Sequence, residues 1–345
     1  MIFFKNKLLI IINSTTEKLR AITALSQNNY PEAIANLEIS LKKTPNDPEA
    51  LIYLNNAKIG ENQSYVIAVA VPTNTDVDGT QEILRGVAQA QNKINQTNGM
   101  KGIKLKVLIA NDDNDPQVGK EVAQALVDVP EVLGVVGHWA SDVTLATGEI
   151  YDQEKLVAIS PISTSVQLSG FGDYIFRTVP SDRFAGSALS RYQVQQLKKQ
   201  KTAVFYNSQS NYSKSLKDEF TTALYGDGGA VVAEFDFMDN NFNAANAFKE
   251  ATNKGAQVVM LATNTATLDQ ALQVIQVNDG KLALLAGDDA YAPKILQIGG
   301  RGALDMVVAI PWHILAHPQD SFTQESRKLW QGDVSWRSAM AYDAT

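Results

Sequence analysis

The chain has no cysteine and only three histidines in 345 residues. The first absence removes disulfides, thiolate metal sites, iron–sulfur clusters and a cysteine nucleophile, and the second leaves little for a histidine-based metal centre or a serine triad. Basic residues are also in deficit, 30 against 37 acidic, for a net charge of -7. That is the wrong sign for a protein that coats nucleic acid or an anionic membrane, so no nucleic-acid partner is expected. No run approaches the roughly 20 apolar residues of a membrane span. The start, with Lys5 and Lys7 before Leu8-Leu9-Ile10-Ile11-Ile12, has the form of an export signal cut short before Asn13.

Nucleotide fingerprints are missing as well. Neither G-x-G-x-x-G after a strand nor G-x-x-x-x-G-K-[ST] occurs, G-x-S-x-G is absent, and Gly299-Gly300-Arg301-Gly302 reads as a loop. No cofactor is expected. His313 and His317 stand four apart, but Pro318 follows and no glutamate lies between them, so no metal site is assigned. Asn111-Asp112-Asp113-Asn114-Asp115-Pro116 has carboxylates spaced like a calcium loop, yet its sixth position is Pro116 and its twelfth Val122. A strand end passing into a helix capped by Asp115 fits better.

What the chain does have is rhythm. Residues 1–60 read as helical, with Leu19, Ile22, Ala33, Ile34, Leu37 and Leu41 at three- and four-residue steps and Pro31 near a helix start. The spacing of Ala24, Tyr30, Ala33, Leu41 and Pro45 resembles one tetratricopeptide repeat. One repeat cannot bury its own apolar face, so it must pack on a partner or on the adjoining domain of its own chain, as a docking module or a spacer.

From residue 65 short β-branched runs alternate with amphipathic helices. Strands are predicted at 66–71, 104–109, 132–136 and 156–160, then at 203–206, 231–235, 258–262, 282–286 and 306–311. Helices are predicted between them, among them 182–198, 211–225, 242–254 and 266–278. Repeated βαβ at this spacing gives α/β architecture: two doubly wound lobes joined by a hinge, preceded by a short helical hairpin. The default ligand site is the cleft at the carboxyl ends of the strands.

Hydroxyls and acids concentrate at those strand ends. In the first lobe Gly137-His138-Trp139-Ala140-Ser141 and Ser160-Pro161-Ile162-Ser163-Thr164-Ser165 are strand-to-helix junctions, where backbone N–H groups can hold a carboxylate. His138, just past a strand end, is read as a ligand-binding residue that lines the cleft, in preference to plain packing. In the second lobe Tyr212, Asn264 and the pair Asp288-Asp289 follow strands. An anion site on one lobe and an acid with aromatics on the other suit a small zwitterion.

Several of these motifs, in order, resemble the branched-chain amino acid (Leu/Ile/Val-binding) type of periplasmic substrate-binding protein, the receptor of an ABC importer. They are the 111–116 run, Val135-Val136-Gly137-His138 with Ser141, Ile159-Ser160-Pro161 with Ser163-Thr164-Ser165, Phe176-Arg177-Thr178 with Pro180-Ser181-Asp182, Asn211-Tyr212 and Ala341-Tyr342-Asp343-Ala344. Trp139 to Leu145 and Val308 to His313 resemble cyanobacterial members. The resemblance implies a non-enzymatic type I bilobal protein in the periplasm, with lobe one at 64–180 plus 312–345 and lobe two at 181–311. It implies closure on an amino acid or small amide, with ABC permease subunits as partners and a further protein partner possible at the N-terminal helices. It places the ligand carboxylate on Ser141, Ser163, Thr164 and Ser165, the closing aromatic at Tyr212 and the ammonium on Asp288 or Asp289. It also implies that helices and a return segment beyond Thr345 are missing. A sensory module signalling through a partner protein is the alternative.

Overall fold

The computed structural model describes residues 15–345. The apolar run at 8–12 lies outside them. Helices α1 (Thr16–Ser26), α2 (Tyr30–Lys43) and α3 (Pro48–Ile59) come first. Thr15, Asn29 and Asp47 cap them in turn, and Pro31 and Pro48 occupy first-turn positions whose N–H would be unpaired anyway. The β/α alternation then runs β1 (Ser64–Val71), α4 (Val77–Gln96), β2 (Lys104–Asn111), α5 (Pro116–Val127), β3 (Val132–Val136), α6 (Ser141–Gln153), β4 (Val157–Ser160) and β5 (Ile175–Arg177). It continues with α7 (Asp182–Arg191), β6 (Lys201–Tyr206), α8 (Asn211–Gly226), β7 (Ala230–Asp236), α9 (Ala244–Asn253), β8 (Val258–Ala262), α10 (Leu268–Asn278), β9 (Ala283–Ala286), α11 (Pro293–Gly299), β10 (Val307–Val308), α12 (Ser321–Trp330) and α13 (Trp336–Asp343). The doubly wound reading of the sequence therefore holds.

The described residues form two compact units, 15–163, 170–179 and 312–345 in the first and 164–169 and 180–311 in the second. The first contains a parallel sheet ordered β2-β1-β3-β4-β5. β1 lies between β2 and β3 and its last four residues are completely buried, which is why it reads as an unbroken β-branched and alanine run. The helical segment is part of this unit: α3 packs on α4 and on the edge strand β2. Asn56 of α3 accepts the Val107 N–H at 3.1 Å and donates to the Val107 carbonyl at 2.8 Å. Asn95 of α4 does the same for Leu105, at 2.8 and 2.9 Å. Two side-chain amides thus take the place of a neighbouring strand along β2.

Inside the helical segment Lys18 is fully buried, its Nζ 2.8 Å from Asp47 Oδ2 and 2.7 Å from Glu49 Oε2. Tyr53 donates to the other Glu49 oxygen at 2.9 Å. Burial pushes the Glu49 carboxyl up, against the pull of Lys18. At the far end of the chain α13 lies against α4, where Gly86 admits it: a Cβ there would collide with the Ser338 carbonyl. Glu82 accepts from Ser338 Oγ at 2.8 Å and from the Ser335 N–H at 2.9 Å, fixing the α13 start.

The second unit contains a parallel sheet ordered β10-β9-β8-β6-β7. Its β8 is buried along its whole length, and α8, α9 and α10 cover the sheet with Leu216, Phe220, Phe248, Val274 and Ile275. Among the described residues no helix is long and apolar enough to cross a membrane.

Candidate functional site

In the first unit the candidate residues sit on loops that leave the carboxyl ends of β3 and β4. Gly137 holds φ +144°, and a Cβ there would meet the Ala70 carbonyl of β1 at 2.6 Å, so only glycine lets the loop pass so close. His138 follows and is fully buried. Its Nδ1 stands 2.7 Å from Asp112 Oδ2 and its Nε2 3.0 Å from Tyr151 Oη. A carboxylate only accepts, which assigns the proton to Nδ1 and leaves Nε2 to accept the Tyr151 O–H. Both ring nitrogens thereby have partners within the protein, and the imidazole holds the loop that follows β3.

The backbone of the same residue ties the next loop. The His138 carbonyl accepts from Ser160 Oγ at 2.8 Å, and Ser160 Oγ accepts the Ser163 N–H at 2.9 Å. Ser163 Oγ is 2.7 Å from Thr144 Oγ1 and 3.1 Å from the Trp139 carbonyl. Ser141 opens α6, whose N-cap position is Ala140 and supplies no side-chain acceptor to the first turn. The structure therefore brings Ser141, Ser163 and the His138 backbone together at one helix N-terminus, where positive backbone dipoles favour an anion.

Thr164 and Ser165 belong to the second unit. The Thr164 carbonyl accepts the Asp182 N–H at 2.9 Å, Ser165 caps the short turn at Val166–Leu168, and the Val166 N–H donates to Ser215 Oγ of α8 at 3.0 Å. Tyr212, one residue into α8, donates to Asp288 Oδ1 at 2.5 Å, and the Asp289 N–H points at the same hydroxyl, 3.4 Å away. Gly287 makes this possible, because a Cβ there would collide with Tyr212 Oη and with Leu216. Burial, followed by the charges of Asp288, Asp289 and Asp182, holds the Tyr212 phenol far above its ordinary value. The result is a buried phenol ringed by three carboxylates, an environment that favours a cation. Asp288 is buried and Asp289 is the less buried of the pair. Asn264, at the end of β8, has other partners: its Oδ1 accepts from Asn207 Nδ2 at 3.1 Å and from Thr267 at 2.9 Å. An apolar cavity of about 490 Å³ opens beside the acids, walled by Phe184, Leu189, Tyr192 and residues 307–311, with Thr164 and Asp288 on its surface.

Sequence reasoning missed Asp112, Tyr151, Asp182 and Gly287. Asp112 lies inside a run that reads as a capped turn, Asp182 in the Pro180-Ser181-Asp182 motif with no role assigned to it, and Tyr151 in a helix with no chemical signature. The capped turn itself is present, Asp115 accepting from the Gln117 and Val118 N–H groups. The two remaining histidines have local partners: His313 Nδ1 accepts the Leu315 N–H, and His317 stacks on Trp312.

The sequence profile of a family described as periplasmic binding protein matches residues 66–345. An amino acid binding protein of Pseudomonas aeruginosa is 35% identical over 155 residues, which cover 44% of this chain and 41% of that one. A leucine-specific-binding protein of Salmonella typhimurium is 27% identical over 254 residues, 72% of this chain and 68% of its own. The chain thus spans from under half to about two thirds of the length of these relatives. Among solved structures, a leucine-binding protein from Thermotoga maritima superposes with a TM-score of 0.72 at 19% identity, over 81% of this chain and 80% of that one, a likeness of fold. These relatives are named as binding proteins. The chain belongs to the periplasmic binding protein family.

Proposed function

We propose that the protein is an extracytoplasmic solute-binding receptor of an ABC importer whose ligand is an amino acid with an apolar side chain. The observation that carries this reading is the pairing of opposite polarities in the two units. One offers a hydroxyl-lined helix N-terminus at Ser141 and Ser163. The other offers Asp288 and Asp289 around Tyr212. A zwitterion needs both, its carboxylate on N–H and hydroxyl donors and its ammonium on a carboxylate. Thr164 and Ser165 extend the donor set. Asp289, less buried than Asp288, is the ammonium partner in this reading, and Asp288 with Tyr212 holds it in place. The apolar cavity beside Asp288 supplies room for an aliphatic or aromatic side chain. Release and capture follow from hinge closure of the two units, a motion of the kind used by bilobal receptors. Membership in the periplasmic binding protein family supports the periplasm as the compartment, and permease subunits are the partners this reading adds.

A thermal-shift screen over amino acids, amides and urea tests the reading. A ligand at 100 times its Kd stabilises the protein by about 2.7 kcal/mol, so apolar amino acids raise the Tm by several degrees and amides do not. A shift with urea or amides alone would replace the proposed ligand class.

A further inference from the structure

We propose that Asp112, His138 and Tyr151 form a positioning network that sets the loops 137–141 and 160–163 in the geometry that receives the ligand carboxylate. The proposal rests on the receptor reading above and deepens it. The three side chains come from the ends of β2 and β3 and from the last turns of α6, and all are buried. Polar groups so deeply buried cost stability unless paired, and here each is: Tyr151 donates to His138, His138 to Asp112, and Asp112 Oδ1 accepts the Asn114 N–H at 3.0 Å. The Asp112 N–H donates to the Val71 carbonyl at the end of β1, anchoring the network to an interior strand of the sheet.

The network touches no candidate ligand group directly. It acts through the His138 peptide, whose carbonyl takes the Ser160 hydroxyl and lies 3.4 Å from the Ser163 hydroxyl. With both ring nitrogens held, the His138 Cα and its peptide have little freedom, and losing either ring bond loosens the carbonyl that the two serines use. Ser160 in turn organises the Ile162 and Ser163 N–H groups, at 3.3 and 2.9 Å. One imidazole thus fixes the donors of two strand-end loops, and a hydrophobic trio of the same volume would fill the space without doing so.

Tyr151→Phe and Asp112→Asn keep the shape of the network and remove one bond each. In both, amide exchange at Ile162 and Ser163 accelerates by at least about fivefold, while amides of β6 in the other unit stay unchanged. Calorimetric affinity for L-leucine falls by a similar factor. A purely structural role would lower the Tm and leave both readouts at wild-type values, which overturns the proposal. Wild-type protein that binds none of the apolar amino acids overturns the receptor reading and the ligand half of this one, and the exchange data still decide whether the network positions the loops.

Discussion

Tyr212 Oη lies 2.5 Å from Asp288 Oδ1, and the gap that admits it exists because residue 287 is glycine. Gly287→Ala would drive a methyl into the phenol oxygen and Leu216, both in the packed core of the second unit. The expected loss is about 1–3 kcal/mol in denaturant unfolding. Gly287→Ala with Tyr212→Phe should recover part of it, since the clashing hydroxyl is gone, and equal losses in single and double variants would refute this packing.

Lys18 offers a second test. Lys18→Met leaves Asp47 and Glu49 buried together without their cation, which costs about 3–5 kcal/mol. Replacing Lys18 and Glu49 together by apolar residues should cost less than Lys18→Met alone. Urea unfolding of the three proteins checks the order.

The edge of β2 depends on Asn56. Asn56→Ala strips both partners from Val107 and is expected to cost about 1–3 kcal/mol. Amide exchange at Val107 should rise while that of Leu105, held by Asn95, changes less. If Val107 stays protected, the edge is not closed in this way.

Alkaline pH gives a prediction with a definite sign. Burial lifts the phenols of Tyr53, Tyr151 and Tyr212 above their ordinary value, with neighbouring carboxylates adding to it. In the unfolded chain they lose their protons near pH 10, as free tyrosine does. Between that value and their raised folded values the native state holds more protons. Their contribution to stability is therefore complete below about pH 10 and is lost as pH rises beyond it, by up to about 1.4 kcal/mol per pH unit for each phenol. Absorbance at 295 nm should show these three of the 11 tyrosines ionising only with unfolding.

The parallel strands were legible because burial on both faces leaves uninterrupted apolar runs, as in 66–71 and 258–262. Element ends were less so. The helix predicted over 182–198 stops at Arg191 and widens into a π turn over Tyr192–Gln196, and the strand predicted over 306–311 pairs only at Val307 and Val308. Hydrogen bonding across the fold decides such ends, and no local pattern encodes it. The candidate loops were visible as clusters of serine, threonine and aspartate, whereas the partners that fix them were not. Asp112 and Tyr151 reach His138 from 26 and 13 residues away. Nor did the helical segment announce that Asn56 would serve as a strand's neighbour, since an asparagine on a helix more often faces solvent.

Isothermal titration of the chain with leucine, isoleucine and valine tests the central claim most directly. The account predicts saturable one-site binding near micromolar Kd, a free energy of about -8 kcal/mol. It predicts a loss of about 2–5 kcal/mol in Asp289→Ala, with the unfolding midpoint unchanged. Absence of heat with every apolar amino acid, or affinity unaltered in both Asp288→Ala and Asp289→Ala, would contradict it.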